Sequence, residues 1–195
     1  KLGLIVSIAT IAVAFMTDSL TRIMPEAPQW FEDAMNSLMD APTWLTLLSV
    51  SIFAPLFEEW LCRGLVLRGL LQKKSPAVAI SLSALFFAIL HMNPWQAVPA
   101  FILGLLFGYV YYKTGSLKLT MLMHCVNNTF AVIFSKIPQC KDADSFLDVM
   151  SPWVYVCIFI ACITFTWGAL VTLKAIPFYK EDARCNCDEV DALSI

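Results

Sequence analysis

Long apolar runs alternate with short polar connections along this chain. The runs are Leu2–Met16, Thr43–Leu71, Pro76–Met92, Trp95–Tyr112, Leu117–Phe134 and Pro152–Leu173. A helix crossing a bilayer needs about 20 predominantly apolar residues, with a range of roughly 17–25. The last four runs, of 17, 18, 18 and 22 residues, reach that length. They are continuous rather than alternating, so a strand barrel does not fit. The pattern predicts an all-α fold: a polytopic transmembrane helical bundle with about six membrane helices.

The connections support these divisions. Thr17–Pro42 is polar and acidic, but Trp30, Phe31, Met35, Leu38 and Met39 within it predict a short amphipathic helix lying at the interface. Lys73-Lys74-Ser75-Pro76 is a turn with proline opening the next helix. His91-Met92-Asn93-Pro94 closes that helix, because proline disfavours helical backbone at the residue before it. Lys113-Thr114-Gly115-Ser116 and Lys136–Ser151 separate the remaining runs. Four segments result: 1–42 with the first run and its interfacial connection, 43–135 as the core, 136–176 as a loop and last run, and 177–195 as a polar tail. No internal repeat is evident.

Composition strengthens the membrane reading. Of 195 residues, 59% are hydrophobic and 14% charged, against about 25% charged in a soluble domain. A net charge of −2 gives no electrostatic footprint for nucleic acid. Cys62, Cys125, Cys157 and Cys162 lie in apolar runs, where cysteine acts as a small hydrophobe. Cys185 and Cys187 form a C-x-C in the tail, read as two reduced thiols. The chain opens at Lys1 and is apolar at once, without a signal-peptide cleavage pattern. It reads as a fragment or processed form lacking upstream helices.

Placing the 72–75 and 113–116 turns and the tail on one side gathers ten of the 13 basic residues there. Arg22, Lys136 and Lys141 remain on the other, so the first side is expected to be cytoplasmic. Gly104-x-x-x-Gly108 predicts close helix–helix approach.

Polar groups inside the runs carry the chemistry, since each charge at a helix centre costs about 2.5–3.5 kcal/mol on insertion scales. Glu59 and Arg63 are four residues apart and can pair on one helix face. Glu58 is turned about 100° away and has no partner in its own helix. Such a carboxylate suits general-base work or metal binding. His91 ends the third run. His124 and Asn128 share a face of the fifth by i,i+4 spacing. Two histidines and a glutamate can hold zinc with an open position for water; the same groups can also activate water without metal.

The motifs Glu58-Glu59-Trp-Leu-Cys-Arg63, Phe87-Ala-Ile-Leu-His91 and His124-Cys-Val-Asn-Asn128 come in order on separate apolar helices. In this the chain resembles the CPBP family of CAAX-protease and bacteriocin-processing intramembrane endopeptidases, which includes the Ras-converting CAAX endopeptidase. The resemblance spans roughly residues 43–134, and His91-Met-Asn-Pro-Trp-Gln96 is similar to bacterial members. It implies a conical intramembrane catalytic cavity and a bacterial inner (plasma) membrane location. It implies Glu58 as the water-activating carboxylate, with Glu59 and Arg63 shaping the site. His91 and His124 would bind or orient water or metal, and Asn128 would donate to the oxyanion. The implied partners are a peptide or protein substrate, such as a C-terminal or leader peptide, and membrane lipid, with no nucleic acid. Zinc held by Glu58, His91 and His124 and a metal-free glutamate mechanism both fit. A bacteriocin-immunity or binding protein, or a transporter, are the alternative readings. For the site to form, the second run must tilt, the third must continue past Met92, or the orientation must be inverted.

Overall fold

The computed structural model describes residues 1–140, 143 and 145–177; the tail with Cys185 and Cys187, and Lys141, lie outside them. The described residues form eight helices: α1 (Leu2–Asp18), α2 (Gln29–Asp40), α3 (Thr43–Leu71), α4 (Pro76–Leu90), α5 (Pro94–Thr114), α6 (Leu117–Ser135), α7 (Phe146–Val149) and α8 (Pro152–Ala175). Four of these, α3, α5, α6 and α8, are long and apolar enough to cross a membrane. The 17-residue α1 and 15-residue α4 are apolar but shorter, so the expected six spans resolve into four full-length and two short helices. The protein is an integral membrane helical bundle.

Local chemistry sets the helix ends. Proline occupies the first turn of α4, α5 and α8, where its missing N–H costs nothing. Asn93 caps α5 by accepting from the Gln96 N–H, and Ser116 caps α6 by accepting from Leu119 N–H. Gly115 ends α5 at φ 62°, a left-handed conformation that glycine adopts without penalty. α4 stops at Leu90 and the chain turns through Met92, whose φ is 53°. The third run therefore does not continue past Met92.

α3 contains two π-helical stretches, Leu47–Phe53 and Trp60–Leu67, flanking the α-helical Ala54–Glu59. The Ala54 N–H bonds Ser49 O and the Arg68 N–H bonds Arg63 O, each five residues back. In that register Pro55 would serve the Val50 carbonyl but has no N–H to give. Asn128 of α6 donates instead, 2.8 Å from Val50 O. The Cys62 carbonyl in the second stretch accepts from Ser83 Oγ of α4 at 2.8 Å.

The main core joins Val6 and Val13 of α1, Leu103, Phe107 and Val110 of α5, Met123 of α6 and Leu173 of α8. α4 lies closely along α5, as Gly104-x-x-x-Gly108 predicts. α8 packs on α1 and leaves Trp153, Ile160 and Trp167 turned outward, which is the expected surface of a helix bathed in lipid. α2 buries none of its residues. It lies across one end of the bundle, with Phe31 against Trp95 and the Trp95 indole N–H on Pro25 O, as the amphipathic pattern predicts.

A Cβ built on Gly104 would stand 3.1 Å from the Ala84 Cα, and one on Gly108 3.0 Å from Ile80 Cγ2. At Gly168 nothing lies within 4 Å. Gly104→Val is expected to destabilise the detergent-solubilised protein by about 1–3 kcal/mol, the ordinary cost of overpacking. Gly168→Ala should change stability by less than about 0.5 kcal/mol. Thermal unfolding of the two variants beside the wild type checks both.

Candidate active site

The polar residues singled out from the sequence converge from α3, α4 and α6. The base of the site is ionic. Arg63 Nη1 donates to Glu59 Oε1 at 2.7 Å, and both side chains are fully buried. Arg63 Nη2 donates to the Gly104 carbonyl at 3.0 Å. The guanidinium carbon lies 4.7 Å from the centre of the Phe87 ring and 5.3 Å from that of Phe107. Two aromatic faces thus surround a charge that has no water, which lowers the cost of burying it. Glycine at position 104 both lets α4 close on α5 and leaves its carbonyl within reach of Arg63.

His124 links this base to Glu58. Its Nδ1 lies 3.0 Å from Glu59 Oε1, the same oxygen that Arg63 holds. An ionised carboxylate only accepts, so Nδ1 carries the hydrogen. Nε2 faces Glu58 Oε2 at 3.8 Å. At that distance the two are too far apart for a direct hydrogen bond, and a water can bridge them. Burial differs sharply along this line. The Glu59 side chain is 0% exposed, that of His124 4% and that of Glu58 26%.

His91 is the C-cap of α4. Its Nδ1 lies 3.0 Å from the Phe87 carbonyl, which accepts only, so here too Nε2 is the open nitrogen. The Phe87 ring stands perpendicular to both imidazoles, with ring centres 5.1 Å from His91 and 5.3 Å from His124. Phe87 therefore stands against both histidines without any extension of α4. Asn128 spends one Nδ2 hydrogen on Val50 O, and its Oδ1 accepts from Asn127. Its amide carries a second N–H.

A catalytic zinc takes three protein ligands. Among the described residues no group of three or more His, Cys, Asp and Glu side chains is gathered to hold a metal ion. Glu58 and His124 face each other across 3.8 Å, and each histidine holds its Nδ1 on an acceptor, which leaves Nε2 as the nitrogen a metal would take. Cys62 and Cys125 are free thiols near the site.

The sequence did not announce Phe107 or the Val50 carbonyl. Phe107 is one aromatic among many in an apolar helix. Pro55 was the available signal for Val50, because a proline within a helix frees a carbonyl upstream of it.

Residues 40–130 match the family model described as Type II CAAX prenyl endopeptidase Rce1-like. The membrane-embedded CAAX protease MroQ of Staphylococcus aureus (strain USA300) is 30% identical over 92 residues, covering 44% of this chain and 37% of that protein. The chain therefore matches little more than a third of that relative's length. No solved structure matches it.

The Glu59–Arg63 pair gives a direct test of what the site rests on. Removing one partner strands a charge, which costs about 3–5 kcal/mol, while replacing both with apolar groups costs far less. Glu59→Leu and Arg63→Met should each destabilise strongly, and the double variant should recover much of the loss in a thermal-unfolding cycle.

Proposed function

Because its residues 40–130 match the Rce1-like CAAX protease family model, we propose that this chain is an intramembrane endopeptidase that hydrolyses a peptide bond near the membrane surface. The observation that carries the reading is the 3.8 Å gap between Glu58 Oε2 and His124 Nε2. A water donating one hydrogen to each group is oriented with its lone pairs outward, toward a peptide carbonyl. Glu58 takes one proton as the oxygen attacks the carbonyl carbon. The carbonyl oxygen becomes an oxyanion, which the second N–H of Asn128 stabilises. The proton returns to the leaving nitrogen through Glu58 or the open Nε2 of His91, and the C–N bond breaks.

Glu59 and Arg63 take no part in proton transfer. They hold His124 in the tautomer that leaves Nε2 facing Glu58. The substrate is a peptide or protein segment able to reach into the bilayer, such as a C-terminal or leader peptide, and the location is a bacterial inner membrane.

The test is cleavage of a farnesylated CAAX-terminated reporter peptide, and of its unprenylated form, by the full chain in liposomes. Glu58→Gln is expected to lower kcat by about 10²–10⁴, the usual contribution of a general base. Asn128→Ala should cost about 10²–10³, as for other oxyanion donors. Glu58→Gln should retain the wild-type unfolding temperature, and Asn128→Ala, which also loses the bond to Val50 O, should lower it. Full activity in Glu58→Gln would sink the mechanism.

A further inference from the structure

A groove of about 600 Å³ runs between α1 and α6 on the outside of the bundle. Both helices start at the same end, where a Cβ on Gly3 would lie 3.8 Å from Leu119 and 3.5 Å from Leu122. Its sides are Leu4 and Ile8 of α1 and Leu122 and Val126 of α6, and the small residues Gly3 and Ser7 give it depth. Leu4 is 68% exposed, and Ile8 and Leu122 are each 44% exposed, so no other described part of the chain covers them. The groove is separate from the candidate active site. Leu122 and Val126 lie two residues to either side of His124, which turns each about 200° around the helix from it.

The length of the groove suits one leaflet. It reaches from Gly3 to Ile11, a rise of about 12 Å at 1.5 Å per residue. Half of a bilayer's hydrocarbon core is about 15 Å. Charge marks one mouth only. On α1 the order along the face is Lys1, Leu4, Ile8 and Ile11, and on α6 it is Lys118, Leu122 and Val126. Each face thus opens with an exposed lysine and continues apolar. Among the described residues, neither helix has an aspartate or glutamate in its first two turns. The positive dipole ends of both helices add to the lysines at this place.

We propose that the α1–α6 groove binds an anionic phospholipid, with one acyl chain along the apolar faces and the phosphate at Lys1 and Lys118. An amphiphile with a negative head and an apolar chain matches both parts of the surface. A second copy of the chain does not. Copies inserted in the same direction would meet this face across a two-fold axis and bring four lysines together with no carboxylate opposite them. The lipid then holds α1 against the back of the helix that carries His124 and Asn128. The site stands independently of the peptidase reading.

Native mass spectrometry of the full chain in neutral detergent tests this, with phosphatidylglycerol and phosphatidylcholine carrying the same acyl chains. Each lysine near an anionic headgroup is worth about a fivefold preference. Phosphatidylglycerol should therefore bind about 25-fold more tightly than phosphatidylcholine, at one lipid per chain. The double variant Lys1→Gln, Lys118→Gln should lose that preference, and Lys73→Gln, Lys74→Gln, on the α3–α4 turn, should keep it. Leu4→Trp, at an exposed position, and Ser7→Phe should each fill the groove and release the lipid, the first at an unchanged unfolding temperature. Equal binding of the two lipids, or a preference that survives the loss of Lys1 and Lys118, overturns the headgroup site. Retention of phosphatidylglycerol in Leu4→Trp overturns the groove. A dimer that Leu4→Trp dissociates and phosphatidylglycerol does not would make a second copy the occupant and overturn the proposal.

Discussion

One buried carboxylate oxygen organises the centre of this bundle. Glu59 Oε1 receives Arg63 from its own helix and His124 from α6. An isolated charge at this depth would be several kcal/mol unfavourable. The pair is tolerated because the guanidinium also reaches a backbone carbonyl on α5 and lies against two aromatic rings. Three helices are thereby fixed relative to one another by groups that have no alternative partner in lipid. Packing through Gly104 and Gly108 brings α4 to the same centre. The apolar core alone could not specify this register, because lipid tails are as apolar as the side chains they would replace.

The π-helical stretches of α3 serve the same end. A turn closed over five residues re-aims its carbonyls. In α3 the carbonyls of Val50 and Cys62 are taken up by Asn128 and Ser83 of neighbouring helices. Those two bonds bracket the Glu58-Glu59 pair along α3. The helix that carries Glu58 is therefore tied to α6 on one side and to α4 on the other. π-Helical turns are often found at functional sites, and here the reason is visible in the partners they recruit.

Much of this was legible in the sequence because charge in an apolar run has so few explanations. The Glu59–Arg63 pair, the separate direction of Glu58, the shared face of His124 and Asn128, and the interfacial helix α2 all follow from spacing and hydropathy. Helix lengths were less legible. Apolar composition continues through His91 and Met92, whereas the helix ends at Leu90 and the backbone turns at Met92, so α4 is shorter than its run. The role of the Phe87 ring, which stands against both His91 and His124 and under the Arg63 guanidinium, was not readable. A site spread over three helices is a product of packing, and local pattern reports packing only where a glycine or a charge marks it.

Two adjacent glutamates show how position alone divides labour. Residues 58 and 59 share composition and neighbours in sequence, but the helical turn between them points one inward and the other toward the opening. Glu59, paired and fully buried, holds Nδ1 of His124. Glu58 is 26% exposed and faces Nε2 of the same histidine at 3.8 Å, too far for a direct hydrogen bond. A water bridging the two would present its oxygen for attack, which is what the proposed general-base role of Glu58 asks of it. Loss of Glu59 would free His124 to turn toward Glu58 and close that gap.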